Sequence, residues 1–374
     1  MVCVFYSATY LNSFVKKGFM LFSQQRITPQ WRDLAAAFLP QPTSSLHHSV
    51  ELLFHYWTGS GREALRLVLS HCRVENGVSR IGVPAFTCQV VLDAVRRSGC
   101  VPVFYDCGVV ADPADIIRVL PRVDALLIAY NFGFVPEMDV IAAACKRRNV
   151  ILIEDCAQAL GARWNNQLVG GFGSYAVYSF GLSKNIGFCG GLIASKEKMI
   201  LPRMPQLPLR HVREAVMKTI VAPFFFSSLF YDLFKPLLCD ELSRKQEPLT
   251  YGYSSYARRV VLHQWRRYDR ILALRRRNAI LFKEKLISGV PLLRGNVHDG
   301  ALYVVLLEKD RTAVQKHLEK RGVEFGVMRT FRCFERGNPK ASRAEQEHLT
   351  LALYRPKKEV ERIISILNEY YGGR

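Results

Sequence analysis

From residue 62 onward the chain alternates short apolar runs with amphipathic stretches of helical period, and this alternation limits its fold more than any other feature. Helical patterns at 62–71, 90–97, 113–120 and 138–148 are interleaved with apolar runs at 81–83, 101–105, 125–130 and 150–153. Strands that are apolar at every position are buried on both faces, the condition of a parallel sheet covered by helices on each side. Ligands of such sheets sit at the carboxyl edge of the strands. The residues just past the apolar runs are therefore where chemistry is expected. They read Pro84-Ala85-Phe86-Thr87, Asp106, Asn131 and Glu154-Asp155. A further strand at 175–180 ends at Gly181-Leu182-Ser183-Lys184, and Gly190-Gly191 opens the next.

Pro202, Pro205, Pro208, Pro223 and Pro236 break the pattern and mark a connection between domains. Beyond them Val261, Trp265, Tyr268 and Leu272 recur at helical spacing. A smaller unit then follows: strand 302–307, helix 312–321, strand 323–327 and helix 358–370. The expected fold is α/β. A large domain at 27–245 carries a mostly parallel central sheet, a smaller C-terminal αβ domain spans 246–374, and 1–26 form an N-terminal extension. With 374 residues the chain is long enough for both cores.

Charge narrows the partners. Lys and Arg number 52 against 32 Asp and Glu, a net of +20, which favours nucleic acid, phosphorylated molecules or an acidic membrane face. No nucleic-acid-binding module is recognisable, so nucleic acid is not expected. Eight arginines fall between residues 258 and 277 with Asp269 as the one acid, a pattern read first as a solvated helix face and second as diphosphate attraction. The ten cysteines form no Cys-x-x-Cys pair, and Cys72, Cys100, Cys145 and Cys156 lie in apolar stretches. That pattern fits reduced, buried thiols in the cytoplasm and no metal site. In the apolar residues 1–22 the basic pair Lys16-Lys17 follows the apolar stretch, whereas a signal peptide puts charge first; Met20 is a candidate start. The apolar run 219–231 has 13 residues, against roughly 20 for a membrane span. It is read as a buried helix or subunit contact ahead of a membrane-surface helix.

One block is more specific. Ile153-Glu154-Asp155-Cys156-Ala157-Gln158-Ala159-Leu160-Gly161-Ala162, then Tyr178-Ser179-Phe180, Ser183-Lys184-Asn185-Ile186 and Gly190-Gly191, resembles the signature of the DegT–StrS sugar aminotransferases. These are fold-type I enzymes that use pyridoxal 5′-phosphate (PLP). Weaker matches stand at Gly59-Ser60-Gly61-Arg62-Glu63-Ala64-Leu65, at Val83-Pro84-Ala85-Phe86-Thr87 and at His317-Leu318-Glu319-Lys320-Arg321-Gly322-Val323. Taken singly, Lys184 is one cation among many, Asp155 fits a helix cap, Gly61 a turn and Ser179 an ordinary strand serine. Their joint occurrence, in order and at family spacing, argues for the site.

The resemblance implies roles. Lys184 forms the Schiff base with the cofactor and, once displaced, carries the proton between substrate and cofactor. Asp155 keeps the ring nitrogen protonated. Gln158 lies near the phenolic oxygen. Ser60, Gly61, Arg62 and Ser179 hold the phosphate at a helix N-terminus. Cys88 stands where the family stacks an aromatic ring on the cofactor, and Asn131 stands for a common histidine. The stretch Leu249-Thr250-Tyr251-Gly252-Tyr253-Ser254 lacks the family's Asn and Arg, and Arg62 is placed to compensate. A sister group that dehydrates sugars carries His at the lysine position, so Lys184 favours transamination. The implied protein is a cytoplasmic homodimer that aminates a keto group on a nucleotide-linked sugar, with glutamate as donor, in polysaccharide or glycan precursor synthesis. The alternatives are an aminotransferase for another keto substrate and a noncatalytic scaffold or regulator.

Overall fold

The computed structural model describes residues 30–39, 50, 52–181, 184–225, 251–293, 301–323, 325–328 and 330–373. The first element is a short helix, α1 (Trp31–Ala36). It is followed by β1 (Phe54–Thr58) and α2 (Gly61–Asn76). Local chemistry fixes both ends of α2. The Ser60 hydroxyl accepts the Glu63 N–H at 3.1 Å, acidic Glu63 lies in the first turn, and Gly77 closes the helix in the left-handed region at φ 68°.

Strands and helices then alternate: β2 (Arg80–Pro84), β3 (Phe86–Cys88), α3 (Gln89–Arg97), β4 (Val101–Tyr105), α4 (Pro113–Val119), β5 (Ala125–Ala129), α5 (Met138–Arg147) and β6 (Ile151–Asp155). A short hairpin, β7 (Arg163–Trp164) and β8 (Gln167–Leu168), precedes β9 (Tyr175–Ser179) and β10 (Gly191–Ser195). Seven strands make one sheet in the order β1-β10-β9-β6-β5-β2-β4. Every pair from β4 to β9 is parallel, and only β10 runs against its neighbours. The expected mostly parallel sheet is therefore present.

Alternating side chains on each strand feed two cores. Leu126, Ile128 and Leu152 enter one, Ala125, Leu127 and Ile153 the other, which is why these strands are apolar throughout.

After α6 (Leu209–Phe225) the chain continues through α7 (Ser255–Trp265) and α8 (Tyr268–Lys285). Val260, Trp265 and Leu272 pack on the first sheet core, whereas Ala279 and Phe282, farther along α8, belong to a C-terminal core. That core lies between β11 (Tyr303–Leu307), α9 (Arg311–Lys320), β13 (His348–Ala352) and α11 (Lys357–Gly372). Between them β12 (Phe331–Cys333) leaves this unit and pairs with β3 of the large sheet region, and α10 (Pro339–Glu347) follows.

Three readings change. The strand expected at 323–327 is not a named strand among the described residues: β13 occupies the place beside β11, and Gly326 makes an isolated bridge to Thr350. Asp106 does not turn to the site, because both its oxygens accept N–H groups of Lys340 and Ala341 at the start of α10. The arginine run is no uniform solvated face. Arg266, Arg270 and Arg277 are exposed, but Arg275 is buried and Arg267 pairs with buried Asp33. Cys72, Cys100, Cys145 and Cys156 are buried free thiols, with burial pushing Cys72 and Cys145 up to about 12. Residues 1–26 lie outside the described residues, as does the end of the apolar run 219–231. No helix among the described residues is long and apolar enough to cross a membrane.

Candidate active site

At the carboxyl edge of the sheet, β2, β5, β6 and β9 end side by side. Asp155 closes β6, in register with Ala129 of β5 and Val177 of β9. A pocket opens there, lined by Thr87, Cys88, Asn131, Asp155, Gln158 and Lys184, with Phe331 from β12 across from them. Four sequence-predicted residues thus share one cavity.

Lys184 owes its place to a tight loop between β9 and β10. The Phe188 N–H donates to the Phe180 carbonyl at 2.6 Å, and the Lys184 N–H to the Gly181 carbonyl at 2.9 Å. The lysine is half-buried. Its ammonium acts on Asp155, whose carboxyl burial holds above the ordinary carboxylate range, against the pull of the Ala157 N–H at 3.0 Å and of Lys184. A partly desolvated acid and an amine therefore face one small space.

Gln158 turns its oxygen to the Phe132 N–H at 2.6 Å, holding a backbone that is left-handed at φ 60°. The group it has left to offer the pocket is its NH2.

Next to the pocket, backbones crowd into a cradle. A Cβ on Gly61 would lie 2.5 Å from Ser179 Cβ, and one on Gly191 would lie 2.6 Å from the Gly61 nitrogen. The N-terminus of α2, the end of β9 and the start of β10 thus meet, and glycine is needed for them to do so. Ser179 lies two residues past Val177, the partner of Asp155, so cradle and pocket share the sheet edge. The Ser60 hydroxyl serves as the α2 cap. Burial lowers the half-buried Arg62 guanidinium from its ordinary value, against the pull of the nearby Asp93 carboxylate. Ser60, Gly61, Arg62 and Ser179 do not line the pocket itself.

Sequence reasoning placed Thr87 and Glu154 at strand ends without giving them roles, and missed Phe331. The Thr87 hydroxyl is buried at the pocket wall without a hydrogen-bond partner. Phe331 arrives from the C-terminal region through the β3–β12 pairing, where it lies opposite Cys88. Glu154 faces away from the pocket side of Asp155 and is fully buried. It accepts the Tyr130 hydroxyl at 2.5 Å and the Gly170 and Gly173 N–H groups at 2.6 Å each. Burial raises its carboxyl as well, and its role is to pin the strand end.

The donor set fits the group that the resemblance implies. An amine, a half-buried carboxyl, an orphaned hydroxyl and a helix N-terminus closed by glycines match an aldehyde, a ring nitrogen and a phosphate.

Residues 53–220 match the DegT/DnrJ/EryC1/StrS aminotransferase family. The chain is 34% identical over 145 residues to a pleiotropic regulatory protein of Geobacillus stearothermophilus, covering 37% of this chain and 39% of that one. It is 35% identical over 141 residues to a UDP-N-acetyl-3-dehydro-alpha-D-glucosamine 3-aminotransferase of Acidithiobacillus ferrooxidans, covering 35% and 36%. The chain thus spans less than two fifths of the length of either relative. In fold it is similar to the E. coli GDP-4-keto-6-deoxy-D-mannose-3-dehydratase solved with bound hydrated PLP. The TM-score is 0.71 at 15% identity, over 94% of this chain and 99% of that one.

Proposed function

We propose that this chain, whose residues 53–220 match the DegT/DnrJ/EryC1/StrS aminotransferase family, is a PLP-dependent aminotransferase acting on a keto group of a nucleotide-linked sugar. The observation that carries the reading is Lys184 and half-buried Asp155 lining one pocket, beside the Gly61–Ser179 cradle. When bound, the cofactor supplies an electrophilic carbon and an electron sink. Lys184 offers the amine that attaches it and that later moves a proton at the substrate carbon. Asp155 would hold a proton at the ring nitrogen. Gly61 and Ser179 present N–H and hydroxyl groups to the phosphate, with Arg62 adding positive charge. Thr87 and the Gln158 NH2 would hold the ring, with Cys88 in the pocket wall.

Amination is favoured over dehydration because position 184 holds a lysine. The substrate class draws support from the Acidithiobacillus relative, named for a UDP-sugar. The same resemblance supports glutamate as donor, a homodimer, the cytoplasm as location and a place in glycan precursor synthesis. A second reading, a noncatalytic regulator, is favoured by Cys88 at the stacking position and by the missing Asn and Arg at 249–254.

Borohydride reduction of the PLP-treated protein, followed by peptide mass spectrometry, decides between them. The expected result is a reduced adduct on Lys184, absent in Lys184→Ala, together with conversion of the cofactor to its amine form by glutamate. No adduct on Lys184 removes the catalytic reading; an adduct without glutamate turnover removes only the donor.

A further inference from the structure

The lysine loop is held from outside the pocket, by a stretch more than 75 residues downstream. The buried Tyr268 hydroxyl accepts the Asn185 side-chain N–H at 3.0 Å and donates to the Leu160 carbonyl. Fully buried Gln264 donates its side-chain N–H to the Gly187 carbonyl at 2.8 Å. Between them in sequence, the Trp265 ring meets Phe180 edge-on at 5.9 Å. These contacts fall at loop positions 180, 185 and 187, on both sides of Lys184.

The same stretch is fastened on its other side. Asp33 of α1 is fully buried and accepts from His263 Nδ1 at 2.7 Å and from Arg267. His263 and Arg267 are one residue away from Gln264 and Tyr268 respectively. Residues 263–268 therefore form a strut, bolted to α1 by an ion pair and to the lysine loop by two hydrogen bonds.

We propose that Tyr268 and Gln264 are positioning residues for Lys184, holding the loop so that its amine meets the reacting carbon in a fixed geometry; this rests on the aminotransferase reading. Neither residue touches the pocket. They act through Asn185 and Gly187, and the required precision is a fraction of an ångström. Loss of the Tyr268 hydroxyl removes one bond to the Asn185 side chain and the bond to the Leu160 carbonyl, so the loop gains freedom to move.

Hydrogen exchange on the full chain tests the clamp without cofactor. Tyr268→Phe is compared with Tyr256→Phe, which keeps the ring that packs on Phe188 of the loop at 6.3 Å and loses only a hydroxyl that donates to the Leu34 carbonyl of α1 at 2.9 Å. The expected result is exchange about tenfold faster in peptides spanning 180–190 for Tyr268→Phe, with core strands and the Tyr256→Phe protein unchanged. In the PLP-loaded protein, Tyr268→Phe should also shift the pH at which the Lys184 adduct changes its absorbance. Gln264→Met provides a second variant if Tyr268→Phe does not fold, with the same expected rise in loop exchange. Equal loop exchange in the Tyr268, Tyr256 and wild-type proteins overturns the proposal. A wild-type protein that takes no adduct removes the aminotransferase reading, while the exchange comparison still decides whether the clamp exists.

Discussion

Gly61→Ala isolates the cradle. The new methyl carbon would sit 2.5 Å from Ser179 Cβ, 2.8 Å from its Oγ and 3.0 Å from its Cα. Carbon atoms prefer about 3.5–4.0 Å, so the gap must open by about 1 Å. Rotating Ser179 moves only its hydroxyl; its Cβ and Cα are fixed by the β9 backbone, so α2 and β9 have to part. Overpacking of this kind costs about 1–3 kcal/mol. With an unfolding entropy of about 2 cal/mol/K per residue, a chain of 374 residues loses about 1–4 °C in Tm. The functional loss is larger in proportion. Parting α2 from β9 removes charge-assisted contacts of about 1.5–3 kcal/mol each, or roughly 10- to 100-fold in PLP affinity. Calorimetry and PLP titration read the two effects. Ser179→Gly removes Cβ and Oγ, leaving the 3.0 Å contact with Cα, and costs about 0.5–1 kcal/mol by itself as a strand glycine. The double variant should therefore be about 1 kcal/mol more stable than the sum of the single effects. Strict additivity, or an unchanged melt and PLP affinity in Gly61→Ala, refutes the close approach as the reason for glycine.

Two further perturbations read the carboxylates. Burial raises the folded-state value of Asp155, so the ionised group opposes folding above the unfolded value of about 3.9, increasingly as pH climbs to the raised value. Asp155→Asn should accordingly stabilise the cofactor-free protein at neutral pH, with the difference fading on acidification, while PLP retention drops; pH-dependent melts with and without cofactor check both signs. Asp33→Ala strips His263 and Arg267 of a fully buried partner and should cost about 3 kcal/mol in denaturant unfolding, the lower end for a broken buried pair because both side chains are partly open to water.

The central sheet was legible because its strands are apolar on both faces and its helices are not, a contrast that survives without any tertiary knowledge. Asp155 and Lys184 stand just past strand ends, but what singled them out was the resemblance of their block to a known family; taken singly they read as a helix cap and a surface cation. The period-2 rule also separates Glu154 from Asp155: neighbours on a strand face opposite ways, one toward three buried donors and one toward the pocket. Thr87 was visible as a residue type but not as an orphaned hydroxyl, since that depends on which partners fail to reach it. Phe331, Gln264 and Tyr268 act across long sequence separations, and no local spacing encodes such contacts. The run at 323–327 misled because burial in a core and membership of a ladder call for the same apolar residues. Val323 and Phe325 are buried, yet β13 supplies the ladder.

The charge excess acquires a different meaning once the helices are placed. An arginine-rich stretch bearing one acid looks like a surface awaiting an anion, but its members have separate duties. Arg267 neutralises the buried Asp33, Arg258 lies 5.5 Å over the Trp57 ring, and buried Arg275 lies 5.8 Å over Tyr354. Arginine suits these places because its guanidinium is planar, weakly hydrated and able to stack. Lysine at 267 or 275 would keep the formal charge and lose the geometry. Arg266, Arg270 and Arg277 are the three exposed members of the run, and the field they add at the surface is screened by salt within about 10 Å. Net charge therefore overstates the anion-binding surface of this stretch. Its interior arginines belong to the framework that carries the strut, and through it the lysine loop.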